Sequence, residues 1–271
     1  MRKVRKVLQK NRKKCSKFRD IAFFCYNGGG MEKNAEQDNR NLIAFWDKTL
    51  ALTQEDRQAG QGAGADGWKE EAPSPKLFDA AASLGKKKKV LDYGCGSGWA
   101  GIIAAKHGCP CVVAVDVAQG GIESARFHAE LYDVAESMQI DLVRPDWLST
   151  VPAGTFDGLV CSNVLDVVPT ETAMYIIREF SRIVTDDADI VIGLNFQLSR
   201  EKAEARGIVL EDGNRLYSDG VLRLVSRSDE EWESLFAPYF AVRSLEYFAW
   251  PGEKTETRRL FRLSKLGRRG F

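Results

Sequence analysis

The run Val90-Leu91-Asp92-Tyr93-Gly94-Cys95-Gly96-Ser97-Gly98-Trp99-Ala100-Gly101 constrains this chain more than any other. A short apolar segment ending in an acidic residue reads as a strand, the alternating glycines as a tight turn, and the alanine-rich stretch from Ala100 to Lys106 as a helix. Glycines at alternate positions permit positive φ and leave no side chain between the backbone and what lies against it. The turn is therefore built for close approach of a ligand.

Two ligand classes use such a turn. Gly96, Gly98 and Gly101 fit G-x-G-x-x-G, in which helix-start amides hold the pyrophosphate of a dinucleotide. Asp92 argues for the other class. Its place at the strand end, two residues before Gly94, turns a carboxylate toward the ligand, where a pyrophosphate would suffer repulsion of about 1 to 4 kcal/mol at roughly 4 Å. A ligand with an ammonium and a sulfonium suits that carboxylate better, and S-adenosylmethionine has both and no phosphate. The string Asp92-x-Gly94-x-Gly96-x-Gly98 resembles motif I of the class I S-adenosylmethionine-dependent methyltransferases. The resemblance extends over roughly residues 86 to 196, with weaker similarity to the end. It implies an α/β, Rossmann-like sheet of seven strands with the last antiparallel, and cofactor contacts at Asp92, Gly94, Cys95, Gly96 and Gly98. The alternative, a βαβ turn whose glycines only allow close helix packing, leaves Asp92 without a role.

The chain is long enough for one α/β domain with a cap, and no apolar run approaches the roughly 18 residues needed to cross a membrane. We expect a cytoplasmic protein. Six cysteines, Cys15, Cys25, Cys95, Cys109, Cys111 and Cys161, lack C-x-x-C spacing and read as buried thiols in a reducing compartment. Cys109-Pro110-Cys111 suggests a metal pair, but His107 and His128 are the only histidines and no ligand cluster accompanies them, so no metal is expected. Charge is uneven. Residues 1 to 30 hold ten of the 39 Lys and Arg and one of the 38 acidic residues, leaving 29 basic and 37 acidic residues beyond. An acidic body argues against a large nucleic-acid substrate.

The basic leader, Met1 to Gly30, does not fit a secretory signal; a transit peptide or a basic nucleic-acid arm are the alternatives, though serine is scarce and no amphipathic period appears, and Gly28-Gly29-Gly30 stands directly before Met31. Glycine codons begin with GG, as does a purine-rich ribosome-binding sequence read in frame. The expectation is that residues 1 to 30 lie outside the working enzyme and that the natural start is Met31. Residues 31 to 85 should form a helical cap or lid, since Asn41 to Trp46, Leu50 and Leu52 place apolar residues at helical spacing. Phe45 and Trp46 read first as core packing, with Trp46 also a candidate wall for the acceptor. A glycine-rich loop, Gly60 to Gly67, ends in Trp68, a candidate lid residue.

From residue 86 to 271, the methyltransferase-like domain, strands and helices alternate, as in a parallel sheet covered on both faces. The expected strands are Val90 to Tyr93, Cys111 to Val117, Ile140 to Arg144, Phe156 to Ser162 and Asp189 to Leu194. Ligands of such sheets lie beyond the carboxyl ends of the strands. Asp116, followed by Val117, stands where a carboxylate accepts from both ribose hydroxyls; capping of a helix near Gly120 to Leu131 is the alternative. Pro145-Asp146-Trp147 resembles the family's adenine site, with Asp146 accepting from the exocyclic amine and Trp147 offering an apolar face. The fourth strand runs into Ser162-Asn163-Val164-Leu165-Asp166, which resembles the family's fourth motif beneath the methyl group. It lacks Asn-Pro-Pro-Tyr, which lowers exocyclic-amine chemistry and favours the small-molecule group. There a residue near Asp166 often faces the acceptor, so Asp166 reads either as a base or cation anchor or as the cap of a helix near Thr170, with Leu165 beside the acceptor. An insertion at about 197 to 227, with Asp212-Gly213-Asn214 and Asp219-Gly220 turns, suggests one or two hairpins over the active-site face and offers Tyr217 as another base. Ser228 opens a capped helix. Ala241 to Trp250 and Thr257 to Leu263 resemble the reversed hairpin that closes the class I sheet.

Methyl transfer from a sulfonium needs positioning more than acid–base help. The leading expectation is a methyltransferase for a small or medium organic acceptor. An RNA- or protein-directed methyltransferase has only the basic leader in its favour. A nicotinamide oxidoreductase, or a binding module without turnover, would use the same turn.

Overall fold

The computed structural model describes residues 35–62 and 64–267, and the basic leader lies outside the described residues. The helices are α1 (Ala35–Leu50), α2 (Gln54–Gln61), α3 (Pro75–Ser83), α4 (Trp99–Lys106), α5 (Gln119–Leu131), α6 (Thr170–Ile183), α7 (Arg200–Glu204) and α8 (Asp229–Phe236). The strands are β1 (Val90–Tyr93), β2 (Val112–Asp116), β3 (Met138–Leu142), β4 (Phe156–Ser162), β5 (Val184–Leu194), β6 (Arg215–Ser218), β7 (Val221–Val225), β8 (Phe240–Phe248) and β9 (Arg258–Lys265). Seven strands form one mixed sheet in the order β3-β2-β1-β4-β5-β9-β8. β1 to β5 are mutually parallel, and β9 inserts antiparallel between β5 and β8. This is the seven-stranded sheet with a reversed final strand that the resemblance implies.

Each face carries its own core. One buries α6 and α8: Ala173, Ile176, Ile177, Phe180 and Ile183 recur at helical spacing and meet Trp232 and Phe236 against β4, β5 and β9. The other buries α3, α4 and α5 against β1 and β2. In α4 five successive residues from Ala100 to Ala104 are buried, and Gly101 is small for cause. A Cβ there would stand 2.9 Å from Met138 Cε and 3.0 Å from Val112 Cγ1.

Strand limits differ from the expectation where local composition misleads. β5 begins at Val184 rather than Asp189, because the acidic run Asp186-Asp187 reads as loop yet Val184 pairs with Phe156 across an irregularity. β3 occupies Met138–Leu142 and stops before Val143. Within the insertion a single hairpin forms, β6 with β7, around Asp219 (φ 52°) and Gly220 (φ 74°), the positive-φ pair of a tight two-residue turn. The Asp212-Gly213 turn closes only an isolated bridge from Glu211 to Arg215. No helix of the described residues is long and apolar enough to cross a membrane.

α8 starts on a capping box: Ser228 Oγ accepts from Glu231 N at 3.2 Å while the Glu231 carboxylate accepts from Ser228 N at 2.6 Å. Ser228→Ala is expected to lower stability by about 1 kcal/mol, seen as a drop of about 2 to 4 °C in the thermal midpoint. An unchanged melt would show that Trp232 and Phe236 alone set this helix.

Candidate active site

A cavity of about 220 Å³ opens along the carboxyl ends of the parallel strands, roofed by α1. The glycine turn forms its floor. Gly94, Gly96 and Gly98 all have positive φ, at 69°, 53° and 78°. A Cβ on Gly94 would come within 2.3 Å of Val164 Cγ2, whereas one on Gly96 would only reach ordinary contact with Leu50, 3.8 Å away. The first glycine therefore lets the loop after β4 approach, and the second keeps the floor clear beneath α1.

Two carboxyl groups hold this turn in place. Asp116 Oδ2 accepts from Gly96 N and Oδ1 from Ala118 N, both at 2.9 Å. Asp92 Oδ2 accepts from Gly101 N at 2.8 Å. Asp116 lines the cavity. Asp92 does not: it is buried behind the turn at 4 % exposure, where burial pushes its carboxyl up to about 7. The carboxylate expected to face a ligand instead secures the first turn of α4. Burial also raises Asp116, against the pull of its backbone donors, and lifts the Cys95 thiol well above its usual range.

Of the other residues singled out in sequence, Trp46, Gly94, Cys95, Gly96, Val117, Ser162 and Asn163 line the cavity. Gly98 lies just behind, as the residue preceding α4. Six of the expected residues lie outside the cavity lining. Asp166 neither faces an acceptor nor caps α6, which follows Pro169 without a side-chain cap. It is fully buried, with Oδ2 accepting from Asn195 N at 2.5 Å, its backbone oxygen accepting from Val225 N at 2.7 Å, and burial raising its carboxyl. Leu165 is fully buried core. Asp146 is turned to solvent and paired with Arg144 at 2.8 Å, and Trp147 packs beside the α6 core; Val143 and Pro145 line the cavity in their stead. Trp68 stacks on Phe78 and meets His107 edge-on, remote from the cavity. Tyr217 donates to Asp38 Oδ2 at 2.8 Å and does not reach the lining.

The roof is positioned from both sides. Along α1, Asn39, Leu42, Ile43, Trp46 and Leu50 face the cavity. On another face Asp38 takes the Tyr217 hydroxyl, Asn41 donates to Gly220 O at 3.0 Å, and Arg223 lies 3.8 Å over Phe45, so the β6–β7 hairpin clasps the helix. At its far end Asp47 Oδ1 accepts from Gly120 N at 2.8 Å, at the start of α5. Sequence reasoning did not single out Trp250, which lines the cavity from the loop after β8, nor Val167, Val168 and Ile176; no local pattern marks them. Among the described lining residues there is no Lys, Arg, His or Glu.

A family profile described as "Methyltransferase domain" matches residues 90–187. The chain is 26% identical over 161 residues to a ubiquinone biosynthesis O-methyltransferase of Neisseria meningitidis serogroup C, covering 59% of this chain and 62% of that one. It is 32% identical over 128 residues to a ribosomal protein L11 methyltransferase of Thermotoga neapolitana, covering 46% and 45%. It thus spans less than two thirds of these curated relatives. A solved structure of Burkholderia thailandensis 1,6-didemethyltoxoflavin-N1-methyltransferase, with 1,6-didemethyltoxoflavin and S-adenosylhomocysteine bound, superposes with a TM-score of 0.61 at 16% identity, covering 88% of this chain and 92% of that one.

The buried Asp92 carries a pH signature. Its value of about 7 in the folded chain lies above the ordinary 3.8, so the stability it contributes is full at acid pH and is lost as pH rises through 7. Asp92→Asn keeps an acceptor for Gly101. The melting midpoint of the unmodified protein is expected to fall relative to this variant between about pH 4 and 8, the gap growing to at most about 4 kcal/mol. Parallel pH curves would refute the buried acid. Residues 90–187, which carry the glycine turn and β1 to β4, thus match a methyltransferase domain, set in a seven-stranded sheet whose last strand is reversed.

Proposed function

We propose that the chain transfers a methyl group from S-adenosylmethionine to a small, largely apolar organic acceptor held between α1 and the carboxyl edge of the sheet. One observation carries the cofactor reading: carboxyl groups take up amides of the glycine turn, Asp116 that of Gly96 and Asp92 that of Gly101. A pyrophosphate needs such donors and a positive surround, and the described lining offers Asp116 and no basic side chain. That favours a phosphate-free cation over a dinucleotide. In this reading Asp116 accepts from the ribose, Val117, Val143 and Pro145 flank the adenine, and Gly94, Cys95 and Gly96 lie under the amino-acid end. Ser162 and Asn163 stand at the methyl group, with Asp92 supporting the turn from behind.

When bound, the cofactor supplies a methyl group on a sulfonium whose leaving group departs neutral. The protein's part is to hold an acceptor in line, which can contribute roughly 7 to 11 kcal/mol to lowering the barrier. The apolar roof, Leu42, Ile43, Trp46 and Leu50, and the wall of Val167, Val168 and Ile176 support a small, apolar acceptor. Residues 31–85 then serve as the cap and 86–271 as the catalytic domain. Buried thiols at Cys95, Cys109 and Cys161 support a reducing, cytoplasmic setting.

Labelled methyl transfer to a panel of small acceptors tests the activity, and Asp116→Ala tests the site. The variant is expected to weaken S-adenosylmethionine binding by about 1 to 3 kcal/mol in calorimetry, since a ribose would lose charge-assisted hydrogen bonds. A folded variant with unchanged affinity would refute the ribose assignment. Because the described lining lacks an imidazole or amine base, the pH dependence of turnover should follow the acceptor's own ionisation; an inflection common to acceptors of different pKa would contradict this.

A further inference from the structure

Four neighbouring strands, β4, β5, β9 and β8 in that spatial order, reach the edge that carries the cavity, and one residue from each is joined to the next. Asn163 follows β4, and its Nδ2 donates to Asn195 Oδ1 at 3.1 Å. Asn195 follows β5, and the same oxygen accepts from Arg258 Nη1. Arg258 opens β9, with its guanidinium 3.5 Å from the centroid of the Trp250 ring. Trp250 lies two residues beyond β8. Glu253 completes the bracket: its carboxylate accepts from Arg258 Nε at 2.9 Å and Nη2 at 2.7 Å, and from Trp250 N at 2.8 Å. The two ends of this chain of contacts, Asn163 and Trp250, line the cavity; the two middle members, Asn195 and Arg258, are buried behind it at 1 % and 0 % exposure.

Burying a guanidinium is expensive, and an ion pair inside a fold stabilises no better than apolar packing. Glu253 alone would neutralise the charge. What Arg258 adds is direction. Two donors on Asn195 Oδ1 fix that amide, and through it the amide of Asn163, while three hydrogen bonds pin the guanidinium against one face of the Trp250 indole. Along the sheet edge the lining passes from Pro145 after β3, through Asp116 at the end of β2 and Gly94 after β1, to Asn163 after β4 and then Trp250 after β8. Trp250 therefore closes the end remote from the adenine region.

We infer that Arg258 is a positioning residue for the amino-acid end of the bound cofactor: it sets Trp250 and Asn163 as the walls against which that end is held. The inference rests on the cofactor reading above. Calorimetry on the full chain with two probes tests it, S-adenosylhomocysteine and 5′-methylthioadenosine, which shares the nucleoside but lacks the amino-acid tail. Arg258→Lys, which keeps the charge and loses the fork, should weaken S-adenosylhomocysteine about tenfold, the scale of one lost buried contact, and leave 5′-methylthioadenosine within about twofold. Trp250→Phe leaves the ion pair in place and should show the same selective loss, so it decides the matter if Arg258→Lys fails to fold. Combined, the two substitutions should cost less than the sum of their separate effects. Equal weakening of both probes, or of neither, overturns the inference. An unsubstituted protein that binds neither probe refutes the cofactor reading instead, and this inference with it.

Discussion

The 2.8 Å hydrogen bond from Gly101 N to the buried carboxyl of Asp92 is the constraint on which the site depends. It ties the first turn of α4 to the end of β1, so the intervening glycines must loop outward with positive φ. Asp116 repeats the device from β2, taking Gly96 N and Ala118 N on its two oxygens. Three elements are thereby fixed at one edge of the sheet by side chains that also consume the donors a phosphate would seek. Asp92 disfavours a pyrophosphate by occupying an amide from behind, not by facing the ligand.

A floor made of backbone needs a roof made of side chains, and α1 supplies it. Its cavity face is apolar but for Asn39, and its other faces are held by polar contacts at discrete points, Asp38 and Asn41 to the hairpin and Asp47 to the start of α5. Gly120 makes the last of these feasible, since a Cβ there would fall 2.3 Å from Asp47 O. The insertion between β5 and α8 therefore acts on the site through α1, without contributing a side chain to the described lining.

Much of the frame was legible in the sequence because the signals are local. β1 and β4 have the limits that alternation and flanking turns indicate, α1 follows its apolar period, and the Ser228 capping box opens α8 as its spacing requires. Gly94, Gly96, Asp116, Asn163 and Trp46 were singled out from equally local signals, and all line the cavity. Side-chain direction beyond a strand end was not. Asn163 adopts φ 59°, which resets the alternation, so that Val164 meets the cavity while Leu165 and Asp166 turn into the core. After β3 the chain bends at Pro145, which exposes Asp146 to Arg144. Trp68, in the short 3-10 helix Gly67–Glu70, and Trp250, in the loop after β8, both lie outside the main helices and strands. Only the packing of distant elements sends the first against Phe78 and the second to the cavity wall.

The central claim is that a turn whose amides are taken by carboxyl groups selects a cationic, phosphate-free cofactor. Parallel calorimetric titrations of the unmodified protein with S-adenosylmethionine and with NAD test it most directly. The account predicts saturable binding of S-adenosylmethionine with a Kd on the order of micromolar and no measurable heat with NAD. Tight binding of NAD together with indifference to S-adenosylmethionine would contradict it.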